Sequence, residues 1–255
     1  MNLEDEAKAK VALVLGASGG IGSAICAVCA HQGMRVYGTY FGNMQKAKEI
    51  EDSLPGLRMI LCNMGEGAQI DAAVEKILAK EGRIDALINA VTTPLALKLF
   101  EQHTQEEINK DIEVMLKGSI RACQRVIPAM KKSGSGVIIH LLSTVLLPAH
   151  TPSRMSSYVI AKAGVAGMTR ALSAELGAYG IRVIDILPSY VETGLLKAFP
   201  PKLLEMERQK SPDKKLLQPE DVARVIAYAI TNSAACPNGA QLVLKSRLDV
   251  QKLLA

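Results

Sequence analysis

Two kinds of apolar segment alternate along this chain of 255 residues: short runs dense in Val, Ile and Leu, and longer ones whose apolar residues recur at helical spacing. The short runs predict strands at Lys10–Leu15, Arg35–Tyr40, Leu57–Cys62, Ala86–Asn89, Gly136–Leu142, Arg182–Leu187 and Gln241–Lys245. Between them the helical spacing predicts Ile21–Gln32, Met44–Ser53, Ala68–Lys80, a long helix from about Gln105 to Met130, another from about Ser156 to Ala178, and Pro219–Asn232. Strands that alternate with helices across short connections form a parallel sheet covered on both faces. The expected fold is therefore α/β, a single doubly wound domain over 1–255, with ligands at the carboxyl ends of the strands.

One stretch breaks the alternation. Ser189 to Gln218 holds Gly194, Pro200, Pro201 and Pro212 around a short amphipathic piece, Lys202–Gln209. An insertion of this kind at a strand's carboxyl end is expected to act as a lid over the substrate, about 189–218.

Charge and cysteine content remove several function classes. A net charge of +5 with scattered Lys and Arg, three Phe and no Trp gives no basic block and few stacking platforms, so no nucleic-acid partner is expected. Five cysteines make no dense framework, which suits a reducing compartment. Cys26 and Cys29 have CxxC spacing but lie in the body of a predicted helix without a second pair, so core packing is expected there and no metal site. The opening MNLEDEAKAK is polar and acidic, and the longest apolar stretch, Val137 to Ala149, is broken by His140, Ser143 and Thr144. A soluble cytoplasmic protein with no membrane contact is expected.

The chemistry concentrates in two places. Leu15-Gly16-Ala17-Ser18-Gly19-Gly20-Ile21-Gly22 follows the first strand and opens the first helix, where glycines let backbone N–H groups and the helix dipole approach a pyrophosphate. Tyr158-Val159-Ile160-Ala161-Lys162 sets a phenol one helical turn from an ammonium, downstream of Ser143 at the end of the fifth strand. Ser143 also reads as a plain turn former, with Thr144 beside it as a possible substitute.

With glycines spaced GxxxGxG, the YVIAK pair, Ser143, the Asp85-Ala86-Leu87-Ile88-Asn89 strand and Pro188 after the sixth strand, the chain resembles the short-chain dehydrogenase/reductase family over nearly its whole length. The nearest branch by resemblance is that of the 3-oxoacyl-acyl-carrier-protein reductases. The resemblance implies a Rossmann-like fold and an NAD(P)(H)-dependent oxidoreductase that moves a hydride between nicotinamide and a ketone or 3-oxoacyl carbonyl, or the corresponding alcohol. It implies Tyr158 as the acid, Lys162 as the group that favours its phenolate and holds the nicotinamide ribose, and Ser143 as the donor to the substrate oxygen. It further implies cofactor contacts from Gly16, Ser18, Gly19, Gly20, Ile21, Gly22, Tyr40, Asn63, Asn89, Tyr158, Lys162, Pro188, Val191 and Thr193. A homo-tetramer or dimer is implied, built through the two long helices.

Some positions depart from the family pattern. Met115 stands where the family has an Asn that holds a water beside the active-site lysine, and a thioether is a weak acceptor. Asn89-Ala90-Val91-Thr92 keeps only the first Asn of its motif; Asn63, Leu15 and Ser189 replace an Asp, a Thr and a Gly. These departures leave open an alternative, a dinucleotide-binding partner subunit of low activity in a hetero-oligomer. An enoyl reductase needs a wider Tyr-to-Lys spacing and ranks last. The second strand ends in Thr39-Tyr40-Phe41-Gly42-Asn43 with no acid before Glu49, so NADP(H) is mildly preferred over NAD(H). Pro148, His150 and Pro152 reshape the pocket mouth, with His150 a candidate substrate contact or a solvated loop residue.

Overall fold

A computed structural model of the chain describes residues 9–148 and 152–255. Seven strands, β1 (Val11–Leu15), β2 (Arg35–Tyr40), β3 (Leu57–Leu61), β4 (Ala86–Asn89), β5 (Gly136–Leu141), β6 (Ile181–Pro188) and β7 (Gln241–Leu244), form one sheet in the order β3-β2-β1-β4-β5-β6-β7. Every pairing in it is parallel. Strand order reverses between β1 and β4, which opens the crevice where ligands of such sheets bind.

The helices are α1 (Gly20–His31), α2 (Met44–Ser53), α3 (Gly67–Glu81), α4 (Gln105–Asp111), α5 (Gly118–Ser133), α6 (Ser156–Leu176), α7 (Pro201–Lys210), α8 (Pro219–Thr231) and α9 (Arg247–Leu254). Alternate strand residues feed opposite layers. Ala12, Val14, Ile88, Ile139 and Ile184 pack with Ile25 of α1 and Val222 and Ile226 of α8. Val11, Leu13, Leu87, Ile138 and Val183 pack with Val74 and Ile77 of α3 and Val126 of α5. Both faces of the sheet are thus dry, which is why its strands read as continuous apolar runs.

Two elements differ from the sequence expectation. The long helix expected from Gln105 to Met130 is interrupted by a π-helical stretch, Ile112–Lys117, between α4 and α5. The stretch carries Met115, whose carbonyl accepts from the Ser119 hydroxyl, and such widened turns cluster at functional sites. Helix α9 was not expected at all; Ser246 and Asp249 close a capping box at its start. Cys26 and Cys29 are free and fully buried on α1, and burial pushes the Cys29 thiol up to about 12 and that of Cys26 higher still, so both are packing residues. Among the described residues, no helix is long and apolar enough to cross a membrane, and no cluster of three His, Cys, Asp or Glu could hold a metal ion.

Candidate active site

The turn after β1 is built by close backbone approach. Gly16 turns with φ +78°, and a Cβ on Gly22 would lie 2.2 Å from the Gly16 carbonyl oxygen, so no larger residue fits there. Helix α1 then starts at Gly20 with Gly19 as its N-cap, no side chain capping it and no acid in its first turn. Its N-terminal N–H groups and positive dipole end are left for an external anion.

This turn forms one end of a cavity of about 660 Å³ lined by Gly19, Gly20, Ile21 and Gly22, and at the other end by Ser143, Tyr158 and Lys162. Three lysines, Lys46, Lys162 and Lys197, and no Asp or Glu occur among its described lining residues. A volume of this size and a cationic lining suit an extended anionic ligand. The wall opposite the turn is Pro188, Val191 and Thr193, and a Cβ on Gly20 would come within 2.9 Å of Thr193 Cγ2. Gly20 is therefore bare because the next wall is so near. An uncapped helix start, two jaws that close only on glycine and a cationic trough together fit a dinucleotide.

Ser143, Tyr158 and Lys162 arrive from three chain positions. Ser143 follows β5 in extended conformation and accepts from the Val145 amide at 3.4 Å. Tyr158 and Lys162 share one face of α6, with the Lys162 Nζ 5.8 Å from the Tyr158 ring centre. Burial pushes the Tyr158 phenol up to about 12, and the nearby Ser143 hydroxyl pulls the other way. Tyr158 is thus a protonated phenol at neutral pH, the form an acid needs.

Lys162 is buried, and burial brings its ammonium down to about 8. Its protons go to the carbonyls of Leu141 at 2.7 Å and Val91 at 3.2 Å. These carbonyls lie at and just beyond the ends of β5 and β4, where the sheet has no further strand residues to satisfy them. The donors of Lys162 reach backbone oxygens because a buried ammonium must spend them on whatever acceptors are close.

Other expected contact residues stand apart from the cavity. Asn89 is buried and bridges the Val91 amide, which it accepts at 3.2 Å, to the Ser119 hydroxyl, to which it donates at 2.5 Å. The Asn63 side-chain oxygen accepts from the Gly65 amide at 3.0 Å, which shapes the turn after β3. Gly16, Ser18 and Tyr40 lie on the turn and at the end of β2 without lining the cavity. Met115 is fully buried against Met155, Tyr158 and Ala161, so its thioether packs the floor under Tyr158. His150 falls outside the described residues.

Sequence reasoning did not find the apolar wall made by Leu95, Met155, Leu196 and Phe199. Phe199 packs edge-on against Tyr190, ring centres 5.4 Å apart. The segment after β6 is pinned at its base, where Val191 bridges to Leu217 and the Glu192 amide donates to the Leu217 carbonyl at 2.8 Å. Between these ends, Gly194–Ala198 lines the cavity, and α7 (Pro201–Lys210) follows it without a residue in the lining.

Comparison with known proteins agrees with this geometry. A family described as "Enoyl-(Acyl carrier protein) reductase" matches residues 16–245. The chain is 32% identical over 234 residues to a 3-oxoacyl-[acyl-carrier-protein] reductase of Thermotoga maritima, covering 90% of this chain and 94% of that one. It is 31% identical over 243 residues to a D-threitol dehydrogenase of Mycolicibacterium smegmatis, covering 92% and 91%. The crystal structure of a 3-ketoacyl-(acyl-carrier-protein) reductase from Brucella melitensis complexed with NADH superposes with a TM-score of 0.85 at 27% identity, covering 92% and 96%. The chain belongs to the short-chain dehydrogenase/reductase family and is an NAD(P)-dependent oxidoreductase.

Proposed function

We propose that the chain reduces a 3-oxoacyl carbonyl or a related ketone with NADP(H) in preference to NAD(H), using Ser143, Tyr158 and Lys162. The observation that carries this reading is the convergence of those three side chains in one cavity with the glycine turn at its far end. The nicotinamide, when bound, supplies the hydride. Tyr158 donates the proton that neutralises the developing alkoxide, and Ser143 holds the oxygen in reach. Lys162 keeps a positive charge beside the phenol, which lowers the cost of the phenolate left behind.

Gly19 to Gly22 and Thr193 would hold the pyrophosphate, with Pro188 and Val191 along the nicotinamide. Lys46, beyond β2, is the cation for a 2′-phosphate, and Tyr40-Phe41-Gly42-Asn43 offers no carboxylate to repel one. Leu95, Met155 and Phe199 favour an apolar acyl or ketone body over a polyol. An enoyl substrate is disfavoured by the short Tyr158-to-Lys162 interval. The partner-subunit alternative draws no support from a site whose three reacting groups are in contact or close. An acyl chain on a carrier remains within this reading; Lys131, a cation at the end of α5 that could meet an acidic carrier, lies 4.0 Å over the Tyr179 ring. Assembly as a homo-tetramer or dimer and a cytoplasmic location complete the proposal.

The test is oxidation of NADPH and NADH against 3-oxoacyl thioesters and small ketones, with polyol oxidation by NADP+ and NAD+ alongside. Turnover of oxoacyl thioesters with a preference for NADPH is expected; turnover of polyols alone would reject the substrate assignment.

A further inference from the structure

Behind the site, the sheet carries a second polar chain. His140 on β5 and Asp185 on β6 are register partners, both fully buried, on the sheet face covered by α6. His140 Nδ1 lies 2.7 Å from the Thr169 hydroxyl, and that hydroxyl lies 2.6 Å from Asp185 Oδ1 and 3.3 Å from the Val165 carbonyl. A hydroxyl has one proton; the shorter contact and the carboxylate charge assign it to Asp185. Thr169 then accepts from Nδ1–H of His140, which leaves Nε2 as the acceptor facing Cys123 Sγ at 3.7 Å. Gln241 Nε2 donates to the other Asp185 oxygen at 3.1 Å. The Thr169 hydroxyl and the Gln241 amide both donate to Asp185 and favour its carboxylate, against burial, which is the larger effect and raises its pKa.

Such a buried negative charge needs a positive one. Among the described residues, Lys162 stands alone as a buried Lys or Arg. Its Nζ donates to the carbonyl of Leu141, the neighbour of His140. Lys162 and Thr169 are seven residues apart on the same face of α6, about 10 Å along the axis. His140 lies between the two charges, and burial together with the Lys162 charge brings its imidazole down to about 3, so it is neutral.

We propose that Asp185, through Thr169 and His140, is the buried counter-charge that keeps Lys162 cationic in the site. The inference rests on reading Lys162 as the site lysine. Asp185 is a positioning residue here, since it touches no reacting atom. The groups that face this pair are Cys123 on α5, His140 on β5, Tyr158 and Arg170 on α6, and Gln241 on β7. Arg170 is exposed, and its charge is screened by water. Asp111 at the end of α4 is the rival anion; it accepts from Thr93 at 2.5 Å and from Ser157, the residue before Tyr158.

The test reads Lys162 itself. Protein labelled with ¹³C at lysine Cε is titrated by NMR, and the Lys162 signal is assigned by its loss in Lys162→Arg. The wild-type midpoint is expected near the value of about 8 set by burial. In Asp185→Asn, which keeps the shape and the Thr169 contact, it should fall by roughly one pH unit, the order expected if the lost unit charge acts over a separation on the order of the 10 Å helix rise. An unchanged midpoint in a folded Asp185→Asn protein overturns the proposal, as does a larger fall in Asp111→Asn. Should Asp185→Asn not fold, ¹³Cγ-aspartate spectra of the wild-type protein decide: an ionised Asp185 at pH 7 is expected, and a protonated one overturns it. No substrate is involved, so a protein that turns over no carbonyl fails the proposed function while the Lys162 titration still stands or falls separately.

Discussion

Gly20→Ala should leave the fold standing while weakening its hold on the cofactor. The added Cβ would lie 2.9 Å from Thr193 Cγ2 and 3.2 Å from Thr193 Cβ, inside the roughly 3.5–4.0 Å at which carbon atoms rest. Moving the two segments apart costs about 1–3 kcal/mol, as overpacking does. Alanine in the first turn of α1 returns up to about 1 kcal/mol through helix propensity. The net loss of stability is then between about 0 and 3 kcal/mol. Under the proposed function binding suffers more directly, because the turn and Thr193 would be the two jaws on the pyrophosphate, and parting them withdraws N–H groups from it. A 10- to 100-fold rise in Kd is expected, about 1.4–2.8 kcal/mol. Fluorescence titration with NADPH, beside a thermal melt, measures both quantities. Thr193→Ser removes the offending methyl and keeps the hydroxyl that accepts from the Leu195 amide at 3.3 Å. The double variant should therefore regain most of the affinity. An unchanged Kd in Gly20→Ala, or a loss that Thr193→Ser does not relieve, would refute the reasoning.

Other consequences follow from the buried groups. Burial lowers His140 from 6.5 to about 3, so the unfolded chain binds the extra proton between those values; up to about 5 kcal/mol of stability should drain away as pH falls through that window. Urea melts at pH 4 and 7 should show a smaller difference in His140→Asn. Lys162 works in the opposite range: lowered from 10.5 to about 8, it makes stability rise with pH between these values by up to about 3 kcal/mol, and Lys162→Met should flatten that rise. Met115→Asn places an amide among Met155, Tyr158 and Ala161 and should cost about 1–3 kcal/mol in a urea melt. A Met115→Asn protein as stable as wild type would show that a polar route already reaches that spot.

The alternation of apolar runs was enough to fix the sheet, because strands buried on both faces leave a continuous signal; β2 and β4 come out with the expected ends. Helix periodicity could not reveal the π-helical stretch, since one widened turn shifts the phase of Ile112–Lys117 only slightly while leaving apolar residues on both sides. Helix α9 has a sequence mark in Ser246 and Asp249, whose capping box follows directly on the last strand. Glycine spacing and the Tyr158–Lys162 interval located both ends of the cavity. Which atoms Lys162 holds was not legible, because the Val91 and Leu141 carbonyls belong to backbone brought in from 71 and 21 residues away. Asn63 and Asn89 show the converse limit. Their side chains are used by nearby amides at 3.0 and 3.2 Å, a local demand that sequence position does not disclose.

In the proposed function Tyr158 supplies the proton while the glycine turn and Thr193 hold the dinucleotide. Tyr158→Phe removes one oxygen from a buried ring and leaves the cofactor jaws untouched. The rate of NADPH-dependent reduction of a 3-oxoacyl thioester should fall by about 10²–10⁴-fold, with the NADPH Kd within about twofold of wild type. A variant that keeps its rate would contradict the assignment of Tyr158 as the acid. One that loses its rate only by losing NADPH would contradict the separation of the two ends of the cavity.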